Sequence, residues 1–318
     1  MEELNLTDLL ESPAIVEPAA SASSAPLVKS QRTGRLIVGN CVDVMRSWSD
    51  DMIHLTVTSP PYDKLRDYKG YSFPFEEIAD ELYRVTAPGG VVVWVVGDRI
   101  NGGRSLTSFR QAIYFQEIGF SAHDIMIYQK KNTPFMRSNA YTNAYEMMFV
   151  MSKGKPRTFN ALKIPTQRHG MEMLTHNKLP DGINKKKLGE LKKEKTRTNI
   201  WSYAVGLGGT TRDKIAFQHP AVFPEKLALD HILSWSNPGD LVLDPMCGSG
   251  TTGKMALQND REFIGIDISA EYIEIARQRL ADLGLPVELQ HTPLPHDKPL
   301  PIDRKFATIN ANTLPRAE

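Results

Sequence analysis

From Arg35 onward the chain falls into short apolar runs separated by amphipathic stretches. Leu36-Ile37-Val38 reads as a short buried strand. Ile53-His54-Leu55-Thr56-Val57 reads as the core of a second, within Asp51 to Thr58. Between Phe75 and Thr86 the apolar residues Ile78, Leu82 and Val85 are spaced four and three apart, which marks one face of a helix. Pro88-Gly89-Gly90 stops it. Val91 to Val96 is unbroken apolar sequence, as expected of a strand covered on both faces. Ser105 to Ile118 predicts a helix closed by Gly119, and Asp124–Tyr128 and Tyr145–Met151 predict strands. Farther on come a helix over Pro224–Trp235, with Leu227, His231 and Leu233 available to its inner side, and a strand at Leu241-Val242-Leu243. A helix over Thr251–Leu257, a strand over Glu262–Ile266 and a helix over Ala270–Leu283 complete the pattern. Strands alternating with helices predict an α/β fold built on a doubly wound, mostly parallel sheet.

The alternation breaks at Ser152. Lys153 to Arg197 holds thirteen Lys or Arg against four Asp or Glu, while the whole chain of 318 residues carries only +1. The rest must therefore carry about −8, and the basic charge is local. Residues 1–33, rich in Ala, Ser and Pro, and 286–318, with repeated prolines, read as poorly ordered tails. The expected organisation is one α/β domain over 34–151 and 216–285, interrupted by a basic insert over 152–215. With 41% hydrophobic residues the chain has ample material for a core. Its two cysteines, Cys41 and Cys247, are too few for a disulfide framework or a cysteine metal site. His169 and His176 lack a partner spacing, so no metal is expected. The acidic Met1-Glu2-Glu3 start, and the absence of a long apolar run, point to a cytoplasmic protein.

Leu243-Asp244-Pro245-Met246-Cys247-Gly248-Ser249-Gly250-Thr251-Thr252-Gly253 predicts a strand, a tight turn and a helix start. Gly248, Gly250 and Gly253 satisfy G-x-G-x-x-G, and Asp267 follows Gly248 by 19 residues at the end of the next predicted strand. That spacing suits an adenosine-bearing cofactor, with the acid on ribose hydroxyls and the glycines letting its backbone approach. Only one further strand–helix unit follows, whereas a dehydrogenase begins its nucleotide half with this motif. The Asp244 carboxylate beside the turn would repel a pyrophosphate but suits an amine and a sulfonium.

The strand ending at Thr58 runs into Ser59-Pro60-Pro61-Tyr62. Two prolines stiffen the backbone, and Pro60 has no N–H, so its carbonyl is free to point outward. Ser59 Oγ and the Pro60 carbonyl can accept the two N–H bonds of an amino group on a flat ring. Tyr62 can stack on that ring.

Four segments together resemble the amino-methylating DNA methyltransferases of the β class, which methylate N4 of cytosine or N6 of adenine. Ser59–Tyr62 matches the family's [DNS]-P-P-[YF]. Asp244–Thr252 matches its D-P-F-x-G-S-G-T-[TS], with Met246 in place of Phe. Gly39-Asn40-Cys41-Val42-Asp43 is similar to its early G-[DN]-C-x-x element, and His219-Pro220-Ala221-Val222-Phe223-Pro224 to its H-P-x-x-[FK]-P segment. The resemblance spans about residues 35–283. It implies a circularly permuted, Rossmann-like methyltransferase sheet and S-adenosylmethionine as cofactor. It also implies a cofactor site of Asp43, Thr58, Phe223, Asp244, Pro245, Cys247, Gly248, Ser249, Gly250, Thr251 and Asp267, with Ser59, Pro60, Pro61 and Tyr62 as the catalytic set.

The chemistry agrees with that set. An exocyclic amine is a weak nucleophile because its lone pair is delocalised into the ring. Accepting both N–H bonds frees the lone pair for in-line attack on a sulfonium methyl, with positioning and electrostatics supplying the rate. A cytosine-C5 enzyme would need a Pro-Cys nucleophile, and neither cysteine follows proline. The target base must leave the duplex stack. Double-stranded DNA is therefore the expected partner, with a cognate restriction endonuclease and a homodimer as further implied partners. Lys185, Lys186, Lys187, Lys192, Lys193 and Arg197 are the candidate phosphate contacts. Gln167, Arg168, His169, Asn177 and Asn184 are the candidates for base readout. Within the family that the chain resembles, Ser at the first motif position is commoner in N4-cytosine enzymes and Asp in N6-adenine enzymes. Either residue can accept the same bond, so the resemblance implies cytosine N4 as the expected target and adenine N6 as the alternative. An RNA or protein methyltransferase of the same fold, and a non-catalytic DNA-binding protein, are the competing readings.

Overall fold

The computed structural model describes residues 33–61, 73–100, 103–133, 138, 140–167, 170, 172–178, 182, 184–190 and 192–292. Most of the expected N-terminal tail, Tyr62, Arg168 and His169 therefore lie outside the described residues, as does everything after Thr292.

Among the described residues nine strands form the main sheet: β1 (Gly34–Val38), β2 (Ile53–Thr58), β3 (Thr86–Val96), β4 (Ser121–Lys130), β5 (Tyr145–Ser152), β10 (Ile200–Tyr203), β11 (Leu241–Asp244), β12 (Glu262–Asp267) and β13 (Val287–His291). Their order is β10-β4-β5-β3-β2-β11-β12-β1-β13. Only β5 runs antiparallel to its neighbours. Helices α1 (Cys41–Arg46), α2 (Phe75–Val85) and α3 (Thr107–Glu117) pack on one face, around Ile78, Leu82, Phe115 and Trp94. Helices α4 (Glu225–Trp235), α5 (Thr251–Gln258) and α6 (Ala270–Ala281) pack on the other, around Leu227, Ile232, Ala256 and Ile273. β3 shows why its sequence is unbroken: Val91, Val93 and Val95 enter one core, and Val92, Trp94 and Val96 the other. Among the described residues no helix is long and apolar enough to cross a membrane.

The centre of the sheet positions everything that follows. After β2 the chain crosses to β3 on one side; after β11 it crosses to β12 on the other. The outgoing chains diverge and leave a crevice at the carboxyl ends of β2 and β11, the switch point at which open α/β sheets bind ligands.

Two expected boundaries and the places of Leu233 and Arg197 need correction. Residues 286–318 were expected to lack order, yet Val287–His291 pairs in parallel with β1 across five register positions. Its exposed Glu288 and Gln290 hide an edge strand from any apolar pattern. Residues 152–215 were expected to stand apart as a charged insert. Their two small ribbons do: β6 (Lys163–Pro165) pairs with β9 (Glu194–Thr196), and β7 (Glu172–Lys178) with β8 (Asn184–Glu190). Their distal end does not, because β10 closes one edge of the main sheet with Trp201 and Tyr203 buried in its core. Within α4, Ile232 enters the core and Leu233 is only half-buried.

The last of these concerns Arg197. It was expected among the phosphate contacts, but its guanidinium pairs with Asp230 of α4 at 2.7 Å and lies over the Trp201 ring. Asp230 also accepts from the Tyr203 hydroxyl at 2.7 Å and pairs with Lys226 at 3.0 Å. A carboxylate only 3% exposed is stable when its neighbours supply the hydrogen bonds that water would have made. Arg197→Leu removes one of the three and is expected to destabilise the protein by about 3 kcal/mol at pH 7. Urea unfolding reads this directly. An unchanged midpoint would mean that Lys226 and Tyr203 satisfy Asp230 without it.

Candidate functional site

The crevice opens into a cavity of about 720 Å³, within the usual range for small-molecule sites. Its walls come from the carboxyl ends of β1, β2, β4, β10, β11 and β12, the amino end of β5, and the His219–Phe223 segment. One end is formed by Gly39, Asn40, Cys41, Asp267 and Ser269, the other by Ser59, Pro60 and Pro61 with Tyr128, Lys130 and Glu146 beyond them.

The glycine turn is shaped by its neighbours. Cys247 N–H donates to the Ile266 carbonyl at 2.8 Å, and Gly250 N–H closes the turn onto Cys247 at 2.7 Å. Gly248 sits at φ +47°, and a Cβ there would come within 2.8 Å of His219 Nε2. Glycine is thus required on two counts, backbone sign and space. The Asp267 carboxylate accepts from Gly248 N–H and from Ser269 N–H, both at 2.9 Å, which fixes the acid and the turn as one unit. Burial pushes its pKa up to about 6, although both backbone bonds pull the other way.

Asp244 lies beneath the turn, 1% exposed. It accepts from Thr58 Oγ at 2.7 Å and from Met246 N–H at 3.2 Å. Burial again raises its pKa to about 6, against the pull of these bonds and with a small push from Asp267. A second bond, from Thr252 Oγ to the Val57 carbonyl at 3.0 Å, joins α5 to β2. Burial drives the Cys41 thiol up to about 12, helped by the Asp267 charge, and raises Cys247 well above its ordinary value. Both cysteines are therefore thiols at neutral pH, without the thiolate character of a nucleophile.

The expected residues divide cleanly. Ser59, Pro60, Pro61, Phe223, Pro245, Cys247, Gly248, Ser249, Thr251 and Asp267 line the cavity. Thr58, Asp244 and Gly250 stand behind the wall, where they set the turn. Asp43, in the first turn of α1 behind the Asn40 cap, is outside the lining, 40% exposed and 3.7 Å from Arg46. Lys192 and Lys193 are exposed. Lys185, Lys186 and Lys187 fall on β8, where backbone pairing places them opposite Asn177, His176 and Thr175.

Sequence reasoning missed the wall residues Tyr128, Lys130 and Glu146, and a buried network under the turn. Arg279 of α6, fully buried, donates to the Ser249 carbonyl at 2.7 Å and to Thr251 Oγ at 3.1 Å. Its other edges pair with Glu225 at 2.7 Å and Asp213 at 3.0 Å, and Lys254 bridges those two carboxylates at 2.8 Å each. Helix periodicity was the available signal, since Arg279 falls on the same face as Ile275, Ala276 and Leu280. Among the described residues no cluster of His, Cys, Asp and Glu could hold a metal ion.

The chain matches the profile of the N6/N4 DNA methylase family over residues 53–278. It is 55% identical over 237 residues to the orphan methyltransferase M.BamHII of Bacillus amyloliquefaciens, covering 73% of this chain and 89% of that one. It superposes on the cytosine-N4-specific PvuII DNA methyltransferase with TM-score 0.58 and 21% identity, covering 79% of this chain and 87% of that one. It superposes on TTHA0409 of Thermus thermophilus, complexed with S-adenosyl-L-methionine, with TM-score 0.54 and 24% identity, covering 80% and 99%. At these identities the two structural likenesses speak to the fold.

Buried carboxylates leave a pH signature. Asp244 titrates near 3.8 when unfolded and near 6 when folded, so the folded state holds the extra proton between those values. The group's contribution is full below about pH 4 and is lost as pH rises to about 6. Asp244→Asn keeps the acceptor for Thr58 but cannot ionise. The variant is expected to exceed the parent in stability above pH 6, by up to about 3 kcal/mol, with the gap closing toward pH 4. Urea unfolding at pH 4, 6 and 8 tests this; a gap independent of pH would contradict it.

Proposed function

The chain belongs to the N6/N4 DNA methylase family, and on that premise we propose that it transfers a methyl group from S-adenosylmethionine to N4 of a cytosine flipped out of double-stranded DNA. The observation that carries this reading is the juxtaposition at the switch point. Ser59-Pro60-Pro61, at the end of β2, and the Asp267-anchored glycine turn, at the end of β11, line one continuous cavity.

The cavity suits the cofactor. Asp267, on the lining, is assigned the ribose hydroxyls; Phe223 and Ile268 offer apolar walls for a purine, and the open backbone of Pro245 to Ser249 suits a polar tail. Asp244 and Asp267 make the floor acidic, which favours an ammonium and a sulfonium over a pyrophosphate. When bound, the cofactor supplies an electrophilic methyl group. The protein's own part is positioning: Ser59 Oγ and the Pro60 carbonyl accept the two amine N–H bonds, and the rigid Pro60-Pro61 backbone holds those acceptors where the amine turns tetrahedral. Tyr62, which follows directly, is assigned the stacking face. The basic lobe of β6 to β9 is assigned to the DNA backbone. We also read the order of the motifs along the chain as a circular permutation; its support is that β11, late in the sequence, occupies the centre of the sheet.

Two substitutions separate the halves of the site. Asp267→Ala is expected to weaken S-adenosylmethionine binding by about 1.5–3 kcal/mol in calorimetry. Ser59→Ala is expected to leave that affinity unchanged and to lower kcat at least about tenfold, with less effect on KM. A fully active Ser59→Ala enzyme would remove the amine-activating role of this turn. Mass spectrometry of nucleosides from methylated DNA identifies the product; 6-methyladenine would replace cytosine N4 by adenine N6 as the target.

Replacing Lys185, Lys186 and Lys187 together by Gln is expected to reduce the slope of log K against log salt for DNA binding by up to about 3. An unchanged slope would mean that these lysines are solvated in the complex.

A further inference from the structure

Beyond Ser59, the far wall of the cavity carries a charged pair for which the fold has no need. Lys130 Nζ, at the end of β4, lies 2.6 Å from Glu146 Oε1 of β5, with the two side chains 26% and 13% exposed. β4 and β5 are already joined along their length by backbone pairing. A half-buried ion pair adds little to that, because desolvation offsets most of its attraction. The pair instead lines the ligand cavity beside Tyr128.

Its position relative to the Ser59–Pro61 turn follows from the sheet. Ser59 extends β2, whose Leu55 and Val57 share a core with Tyr128 and Met148 of β4 and β5. Strand spacing of about 4.8 Å puts β5 about 10 Å and β4 about 14 Å from β2. Register carries Thr58 to Trp94 and Phe149, so Glu146, three residues past Phe149, stands level with Pro61 and about 10 Å across the sheet from the turn that holds Ser59 and Pro60. A cytosine hydrogen-bonded through its amine at one wall and its O2 carbonyl at the other, through bonds of about 2.9 Å each, bridges the two. An ammonium has three N–H donors, and one bond to Glu146 leaves others for a ligand.

We infer that Lys130, oriented by Glu146, donates to the O2 carbonyl of the flipped cytosine while Ser59 and Pro60 hold its N4 amine. The inference rests on the methyltransferase reading above and gives it a basis for base choice. Two ring positions from its amine, on the same edge, cytosine presents the O2 carbonyl acceptor. Adenine presents C2–H there, which would leave the ammonium facing a carbon. Lys130 is thus a specificity residue that touches the base, and Glu146 a positioning residue acting through it.

The test uses the full-length protein, unmethylated DNA, and mass spectrometry of the released nucleosides. The parent enzyme is expected to make 4-methylcytosine. Lys130→Met is expected to lower that turnover at least about tenfold, the worth of a hydrogen bond to a charged donor. Its S-adenosylmethionine affinity should match the parent's, which also shows that it folds. Lys130→Arg should restore most of the rate, and Glu146→Gln should raise KM for DNA more than it lowers kcat. Undiminished 4-methylcytosine from Lys130→Met, or a loss that Arg does not rescue, would overturn the role of Lys130 and leave the methyltransferase reading intact. A parent enzyme making 6-methyladenine would overturn the O2 contact together with the cytosine target. A parent that methylates neither base would overturn both the inference and the reading beneath it.

Discussion

A guanidinium with no access to water must find an acceptor for every N–H it carries, and the fully buried Arg279 is such a group. It reaches three separate parts of the chain to do so. Ser249 and Thr251 belong to the glycine turn, Glu225 begins α4, and Asp213 lies at the end of the basic segment. Lys254 balances the second negative charge. The turn is thereby held from below by α6, from the side by α4, and by the segment that leads away from β10. Its geometry depends on a charge network that tolerates no missing member.

The same economy of charge explains the character of the cavity. Arg279 and Lys254 are committed to Asp213 and Glu225, which leaves Asp244 and Asp267 beside the cavity without a cation in contact among the described residues. Burial raises both toward neutral pH, so a cationic ligand would be rewarded twice, by attraction and by relief of that strain. An anionic ligand would meet the opposite field. The fold therefore selects the sign of its cofactor before any hydrogen bond is made.

How far this was legible in the sequence depended on whether a residue's neighbours were local. β3 was plain because a strand covered on both faces has nothing polar to show. The glycine turn was plain because φ sign and crowding by His219 leave a single residue type. β10 and β13 were not, being edge strands of four and five residues, too short to show a period, with Ile200 and Leu289 exposed on them. Arg197 looked like one more surface charge in a basic run; its partner Asp230 is 33 residues away on α4. Asp43 fitted a motif by spacing, and its half-exposed place beside Arg46 was not legible from that spacing. Lys130 and Glu146 meet only because β4 and β5 pair, which no local pattern announces.

The two halves of the site are 186 residues apart at their nearest bond, Thr58 to Asp244, and 195 at the bond from Thr252 to Val57. Contacts that distant are costly to form in a flexible chain, since loop closure must precede any reward. Here the cost is met by the sheet. β2 and β11 pair directly, at Val242 with Leu55 and Leu243 with Thr56, in a core where these residues are fully buried. Once that register is set, Ser59 and Pro245 must emerge side by side, and the divergence of the following chains must leave a gap between them. Any sequence that keeps β2 and β11 as adjacent parallel strands inherits the crevice, and only its occupant is left to the motifs.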